Sequence, residues 1–123
     1  MHASKNLKFF IVDEDPFSRM LYRQHLINLG YKNNILFDNG RDCIDKIGLM
    51  PDLVLLDYDM QPYNGLEVIK KIKKINPDIH LVVVSGIEDS SVVADALKYG
   101  AIDYIVKGER DLEMISKVIS DLS

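Results

Sequence analysis

Apolar runs of four or five residues alternate along this chain with segments whose apolar positions recur at helical spacing. Lys8 to Val12 is apolar and β-prone, as expected of a central strand buried on both faces. Asp15 then Pro16 reads as a helix N-cap followed by proline at the first helical position. Phe17, Met20, Leu21, Gln24 and Ile27 recur at helical spacing, and Gly30 stops that helix. A short run from Ile35 to Phe37 predicts a second strand, with Asp38-Asn39-Gly40 as a turn after it. Ile44 and Ile47 share one face of a short helix that ends at Gly48, and Pro51 precedes a third strand, Leu53 to Leu56.

Gly65 opens a third helix with apolar positions Leu66, Ile69, Ile72 and Ile75, ended by Asn76-Pro77. Lys70, Lys71, Lys73 and Lys74 fall on its other faces and read as a solvated surface, not a nucleic-acid patch. His80 to Val84 is a fourth strand. A helix from Ser90 to Tyr99 follows, capped by Ser90 or Asp89 and stopped by Gly100. Asp103 to Val106 is the fifth strand, and Leu112, Ile115, Ile119 and Leu122 mark the last helix. The alternation predicts an α/β fold of (βα)5 type, one doubly wound parallel sheet spanning residues 1–123 as a single domain.

The ends of the apolar runs carry the chemistry. The first runs into Asp13-Glu14-Asp15, the third into Asp57-Tyr58-Asp59, the fourth into Ser85-Gly86 and the fifth into Lys107. In a parallel sheet these ends share one edge, where open α/β folds bind ligands. Two carboxylates about 4 Å apart repel by roughly 4 kcal/mol at an effective dielectric near 20. Packing Asp13, Glu14 and Asp57 together therefore calls for a counter-charge, met by a hard, oxygen-preferring cation such as Mg²⁺ and by the Lys107 ammonium. Beside them Asp57 becomes a nucleophile toward phosphorus, with Ser85 donating a hydrogen bond to the phosphoryl group. Singly, Asp13-Glu14-Asp15 reads as an acidic helix start, Ser85-Gly86 as a turn and Lys107 as a solvated strand end. Their order at successive strand ends favours the joint reading.

Composition narrows the classes. The 123 residues suffice for one packed core, and 47% apolar with 28% charged residues is ordinary for a globular protein. A net charge of −4 gives no broad basic surface, so direct nucleic-acid binding is not expected. The single cysteine, Cys43, excludes an intrachain disulfide and reads as a small buried apolar group. No apolar stretch has the length of a membrane span, and Met1 to Phe10 lacks the apolar core of a secretion signal, so a cytoplasmic protein is expected. His2, His25 and His80 show no catalytic or metal-binding spacing.

From about Leu7 to Leu122 the chain resembles the receiver domains of two-component response regulators. The resemblance rests on Val12-Asp13-Glu14-Asp15-Pro16, on Asp57 followed by Met60 and Gly65, on Ser85-Gly86, and on Gly100-Ala101 with Asp103-Tyr104-Ile105-Val106-Lys107. It implies a flavodoxin-like sheet of strand order 2-1-3-4-5. It implies that Asp57 accepts a phosphoryl group from a histidine kinase or histidine phosphotransfer protein, with Mg²⁺ or Mn²⁺ as cofactor. Asp13 and Glu14 would form the acidic metal pocket together with Asp57, completed by the backbone carbonyl of Asp59. Ser85 would be the hydroxyl that moves toward the phosphoryl group, Lys107 the pairing ammonium, and Tyr104 the aromatic switch that turns inward. The surface of the fourth helix, fifth strand and fifth helix would change, acting on an output domain or a homodimer partner. Such a domain catalyses only its own phosphorylation and slow dephosphorylation.

Four positions depart from the family pattern. Glu14 stands where an aspartate is usual, and Gly108 follows Lys107 where proline is usual, so no cis peptide is expected there. Pro62 comes one place late in Met60-Gln61-Pro62, and Asp59 adds an acid two residues past Asp57. Two other readings compete. A haloacid-dehalogenase-like phosphatase shares Asp57-Tyr58-Asp59 as an Asp-x-Asp motif, but here an acidic strand end precedes it and Gln61 follows it. A pseudo-receiver would keep the fold as an interaction module without phosphorylation, against which Asp57, Ser85 and Lys107 all argue. The chain ends at Ser123 with no output domain in view.

Overall fold

The computed structural model describes residues 6–122. His2, Lys5 and the rest of residues 1–5 lie outside the described residues, as does Ser123. Five strands, β1 (Lys8–Val12), β2 (Asn33–Phe37), β3 (Leu53–Leu56), β4 (His80–Ser85) and β5 (Asp103–Val106), alternate with five helices. These are α1 (Pro16–Asn28), α2 (Gly40–Asp45), α3 (Gly65–Ile75), α4 (Ser90–Lys98) and α5 (Asp111–Leu122). The strands form one parallel sheet in the order β2-β1-β3-β4-β5, as the resemblance implied.

Both faces of the sheet are covered, which is why its strands are continuous apolar runs. Phe10, Val12, Val54, Leu56, Leu81 and Val83 face α2, α3 and α4, packing on Cys43, Val68, Ile69, Ile72 and Ala96. Phe9, Ile11, Leu53, Leu55, Val82, Val84 and Ile105 face the other way, onto Tyr22 and Leu26 of α1 and Ile115 and Ile119 of α5. Each of these larger side chains contributes about 1.5–3 kcal/mol when fully buried. Cys43 is fully enclosed and burial pushes its thiol up to about 12, so it is an inert packing group.

Two helix faces differ from the sequence pattern. In α1 the buried residues are Ser18, Tyr22 and Leu26, while Phe17 and Met20 are 73% and 54% exposed. The buried stripe is partly polar because its hydroxyls find partners across the fold, so an apolar count selects the wrong face. In α3, Val68 is buried and Ile75 exposed. Lys73 is not a purely solvated residue, since its ammonium donates to the carbonyls of Pro77 and Ile79 at 3.1 and 2.7 Å. The expected turn at Asp38-Asn39-Gly40 is instead the start of α2, because the Asn39 side chain caps the amide of Asp42. That helix stops at Asp45 and passes into a 3₁₀ turn, Ile47–Leu49. Asp89, not Ser90, caps α4. The peptide between Gln61 and Pro62 is cis.

Candidate functional site

The sheet register carries the site residues to one edge. Val12 is level with Leu56, Leu56 with Val83, and Ser85 with Val106. The ladder runs one residue further, with Asp57 N–H donating to Val12 O (2.8 Å) and Lys107 N–H to Ser85 O (2.9 Å). Asp13, Asp57 and Lys107 therefore emerge together past the carboxyl ends of β1, β3 and β5. The loop after Asp57 folds back tightly, since Gly65 N–H donates to Tyr58 O at 2.7 Å. A Cβ on Gly65 would stand 2.7 Å from the Tyr58 Cα, so only glycine fits there.

Two carboxylates converge on one ammonium. Lys107 Nζ is 2.8 Å from Asp13 Oδ2 and 3.8 Å from Asp57 Oδ2. Asp13 is buried, and its other oxygen accepts from the Asp15 amide at 2.9 Å. Desolvation, then the Asp13 charge, push the Asp57 carboxyl up to about 6, against the pull of Lys107 and of the Asp59 and Tyr58 amides. Burial works against the Lys107 ammonium, yet its bond to Asp13 and the charges of Asp57, Asp13 and Asp15 outweigh it and raise its pKa. Two acidic groups facing one cation leave net negative charge in the cleft, a donor set that suits a hard divalent ion.

At the end of β4, the fully buried Ser85 hydroxyl accepts from the Ile87 amide at 3.2 Å. The Tyr104 ring lies inward, with its hydroxyl donating to the Ile87 carbonyl at 2.7 Å. Burial raises the Tyr104 pKa, and the neighbouring Ser85 hydroxyl opposes that rise.

A family model for the response regulator receiver domain matches residues 9–119. The chain belongs to the receiver family. It is 36% identical to the chemotaxis protein CheY of Thermotoga maritima over 115 residues, covering 90% of this chain and 96% of that one. It is 32% identical to CheY of Bacillus subtilis over 117 residues, covering 92% and 98%. In fold it is similar to a chain of the crystal structure of the CheX–CheY–BeF₃–Mg²⁺ complex from Borrelia burgdorferi, with a TM-score of 0.87 at 22% identity over 95% of this chain and 90% of that one. A CheY-like receiver from Methanospirillum hungatei gives 0.87 at 24% identity, covering 95% and 94%. Membership sets aside the haloacid-dehalogenase-like phosphatase. Asp57 beside Lys107 stands where a CheY-like receiver has its phosphoacceptor site.

Of the residues singled out in the sequence, the receiver fold gathers Asp13, Asp57 and Lys107 directly, and Ser85 with Tyr104 around Ile87. Glu14 and Asp59 are exposed. The backbone carbonyl of Glu14, together with that of Asp13, accepts from Arg19 at 3.0 and 2.6 Å. Among the described residues no group of three or more His, Cys, Asp or Glu side chains is assembled to hold a metal. Nor is any helix long and apolar enough to cross a membrane. The sequence reading missed Ser18, which accepts from Lys107 Nζ at 3.3 Å, and the buried Tyr22, which donates to Asp111 Oδ2 at 2.7 Å. Their spacing with Leu26, four residues apart on one face of α1, was the available signal.

Proposed function

We propose that residues 1–123 form one receiver domain whose Asp57 accepts a phosphoryl group from a histidine kinase or histidine phosphotransfer protein in the cytoplasm. The observation that carries this reading is the convergence of Asp13 and Asp57 on the single Lys107 ammonium at the sheet edge. An Asp57 carboxylate oxygen forms the bond to phosphorus as the phosphorus–nitrogen bond of the phosphohistidine breaks, and the departing imidazole keeps the electron pair. Lys107 offsets charge on the equatorial oxygens, and Ser85 donates to one of them after releasing the Ile87 amide.

Mg²⁺ or Mn²⁺ would be held by Asp13, Asp57 and the Asp59 carbonyl, with Glu14 contributing directly or through water. Bound there, the ion supplies further positive charge to the transferring group. Mg²⁺ usually keeps several waters and is held by one or two carboxylates, which suits Asp13 and Asp57. The BeF₃ and Mg²⁺ of the Borrelia burgdorferi complex lend support by fold likeness.

Phosphorylation adds negative charge and acceptor oxygens that draw Ser85 inward and favour Tyr104 in its inner place. The surface of α4, β5 and α5 then shifts in population, toward an output domain or a second copy of the chain. The inward Tyr104 ring fits an active-like packing that exists before phosphorylation.

Acetyl phosphate with Mg²⁺ is expected to add one alkali- and hydroxylamine-labile phosphoryl group on Asp57, located by mass spectrometry. Asp57→Asn abolishes it. Stable phosphate on Ser85 or Tyr58 overturns the reading. A pseudo-receiver would take up no phosphoryl group.

A further inference from the structure

The Lys107 ammonium carries three N–H donors. One meets Asp13 Oδ2 at 2.8 Å and a second meets Ser18 Oγ at 3.3 Å. Asp57 Oδ2, at 3.8 Å, is beyond hydrogen-bond distance, so the third donor is uncommitted to it. A tetrahedral ammonium held by two of its bonds has little freedom left for the third.

Ser18 is built to be an acceptor. It is the buried third residue of α1, and its hydroxyl proton goes to Asp15 Oδ2 at 2.9 Å. An ionised carboxylate only accepts, so the lone pairs of Ser18 are what Lys107 meets. Asp15 is in turn fixed as the cap of α1 by the Phe17 amide at 3.1 Å. The polarity therefore runs from Lys107 through Ser18 to Asp15.

The main chain around Lys107 is held separately. Its amide donates to Ser85, and the Gly108 amide donates at 3.4 Å to Asp111 Oδ2, which also accepts from the buried Tyr22 hydroxyl. Removing the Ser18 hydroxyl thus leaves the ammonium one bond, to Asp13, about which it can turn, while the loop keeps its own anchors.

We propose that Ser18, oriented by the Asp15 cap, is a positioning residue that aims the free N–H of Lys107 at the phosphoryl oxygens on Asp57. The inference rests on the reading of Asp57 as phosphoacceptor. Ser18 fixes direction in advance, so that phosphoryl binding does not have to order the ammonium.

The test compares the parent, Ser18→Ala and Ser18→Thr. The first readout is the ¹⁵N signal of the Lys107 ammonium in the protein without phosphoryl analogue. It is expected to be sharp in the parent and the threonine variant, and lost to rapid solvent exchange in Ser18→Ala. The second is the affinity for beryllofluoride in saturating Mg²⁺, expected to weaken by about tenfold in Ser18→Ala and to recover in Ser18→Thr. Mg²⁺ affinity alone is expected to stay at the parent value, because Ser18 contacts neither Asp13 nor Asp57. An unchanged Lys107 signal and unchanged beryllofluoride affinity in Ser18→Ala overturn the proposal. A parent that takes no phosphoryl group on Asp57 overturns the functional reading instead, and the ammonium signal still decides whether Ser18 orders Lys107. If Ser18→Ala fails to fold, a Ser18→Thr protein with a disordered Lys107 signal counts against the proposal.

Discussion

The Tyr104 hydroxyl donates to the carbonyl of Ile87 across 2.7 Å. The amide of the same residue donates to Ser85, so the two groups assigned to the switch grip one loop residue from either side. Tyr104→Phe keeps the ring and loses the bond, an expected cost of about 0.5–1.5 kcal/mol in urea unfolding. Tyr104→Ala also removes a buried ring and is expected to cost about 3–5 kcal/mol. Both variants should still be phosphorylated on Asp57, with Tyr104→Ala weakened in whatever association depends on the α4-β5-α5 surface. Beryllofluoride with Mg²⁺ should move the amide signals of residues 90–119 in the parent. If they stay in place, Asp57 is not coupled to that surface.

Asp57 gives the metal-free protein a pH dependence of definite sign. Desolvation and the Asp13 charge push its carboxyl up to about 6 in the fold, whereas an unfolded aspartate titrates near about 3.9. Between those values the folded chain binds more protons than the unfolded one, so stability falls as pH rises through the window. The expected loss is on the order of 2–3 kcal/mol once Asp57 is fully ionised. Asp57→Asn removes it and should be more stable than the parent at about pH 7.5 in EDTA, with a flatter profile from about pH 4 to 6. Urea unfolding at stepped pH checks this, and parallel profiles for the two proteins would count against it.

Much of the site was legible because it lies where apolar runs end abruptly. Asp13, Asp57, Ser85 and Lys107 each close or follow a strand that could bury no charge, so each had to emerge at the sheet edge. That β1 lies between β2 and β3 does not follow from periodicity, and it came from the family resemblance. Ser18 and Tyr22 were illegible for a different reason. They are polar residues on a buried face, and their partners Lys107 and Asp111 stand 89 positions away in the chain. Phe17 and Met20 meanwhile offered a more apolar stripe that faces solvent. Asn39 was read as a turn residue because the same side-chain chemistry that favours turns also caps helices.

The two candidate acidic ligands differ in placement, which predicts unequal effects on the metal. Asp13 is buried against Lys107, while Glu14 is exposed and touches Arg19 through its backbone. Asp13→Asn is therefore expected to weaken Mg²⁺ binding well beyond the effect of Glu14→Gln, measured by titration calorimetry or by Mn²⁺ relaxation. A Glu14→Gln protein that binds Mg²⁺ as the parent does would leave water in the place assigned to Glu14.

Gly65 links the packing of α3 to the chemistry at Asp57. Its amide donates to the Tyr58 carbonyl, and a Cβ there would meet the Tyr58 Cα at 2.7 Å and ring atoms at 2.9 and 3.1 Å. The ring can turn aside, but the main-chain atom cannot, because the Tyr58 carbonyl holds the Gly65 amide and the Tyr58 amide is among the groups that pull the Asp57 carboxyl down. Gly65→Ala must therefore push the loop away from the start of α3. Overpacking of this kind costs about 1–3 kcal/mol, against a gain in helix propensity of at most about 1 kcal/mol at that position. The displaced Tyr58 and Asp59 amides would also hold Asp57 less well, so phosphorylation by acetyl phosphate should slow by more than the loss of folded protein explains. The rate at saturating Mg²⁺, compared with that of an equally destabilised variant remote from the edge such as Ile119→Val, separates the two effects. Equal rates in the two variants would mean that Gly65 serves the fold alone.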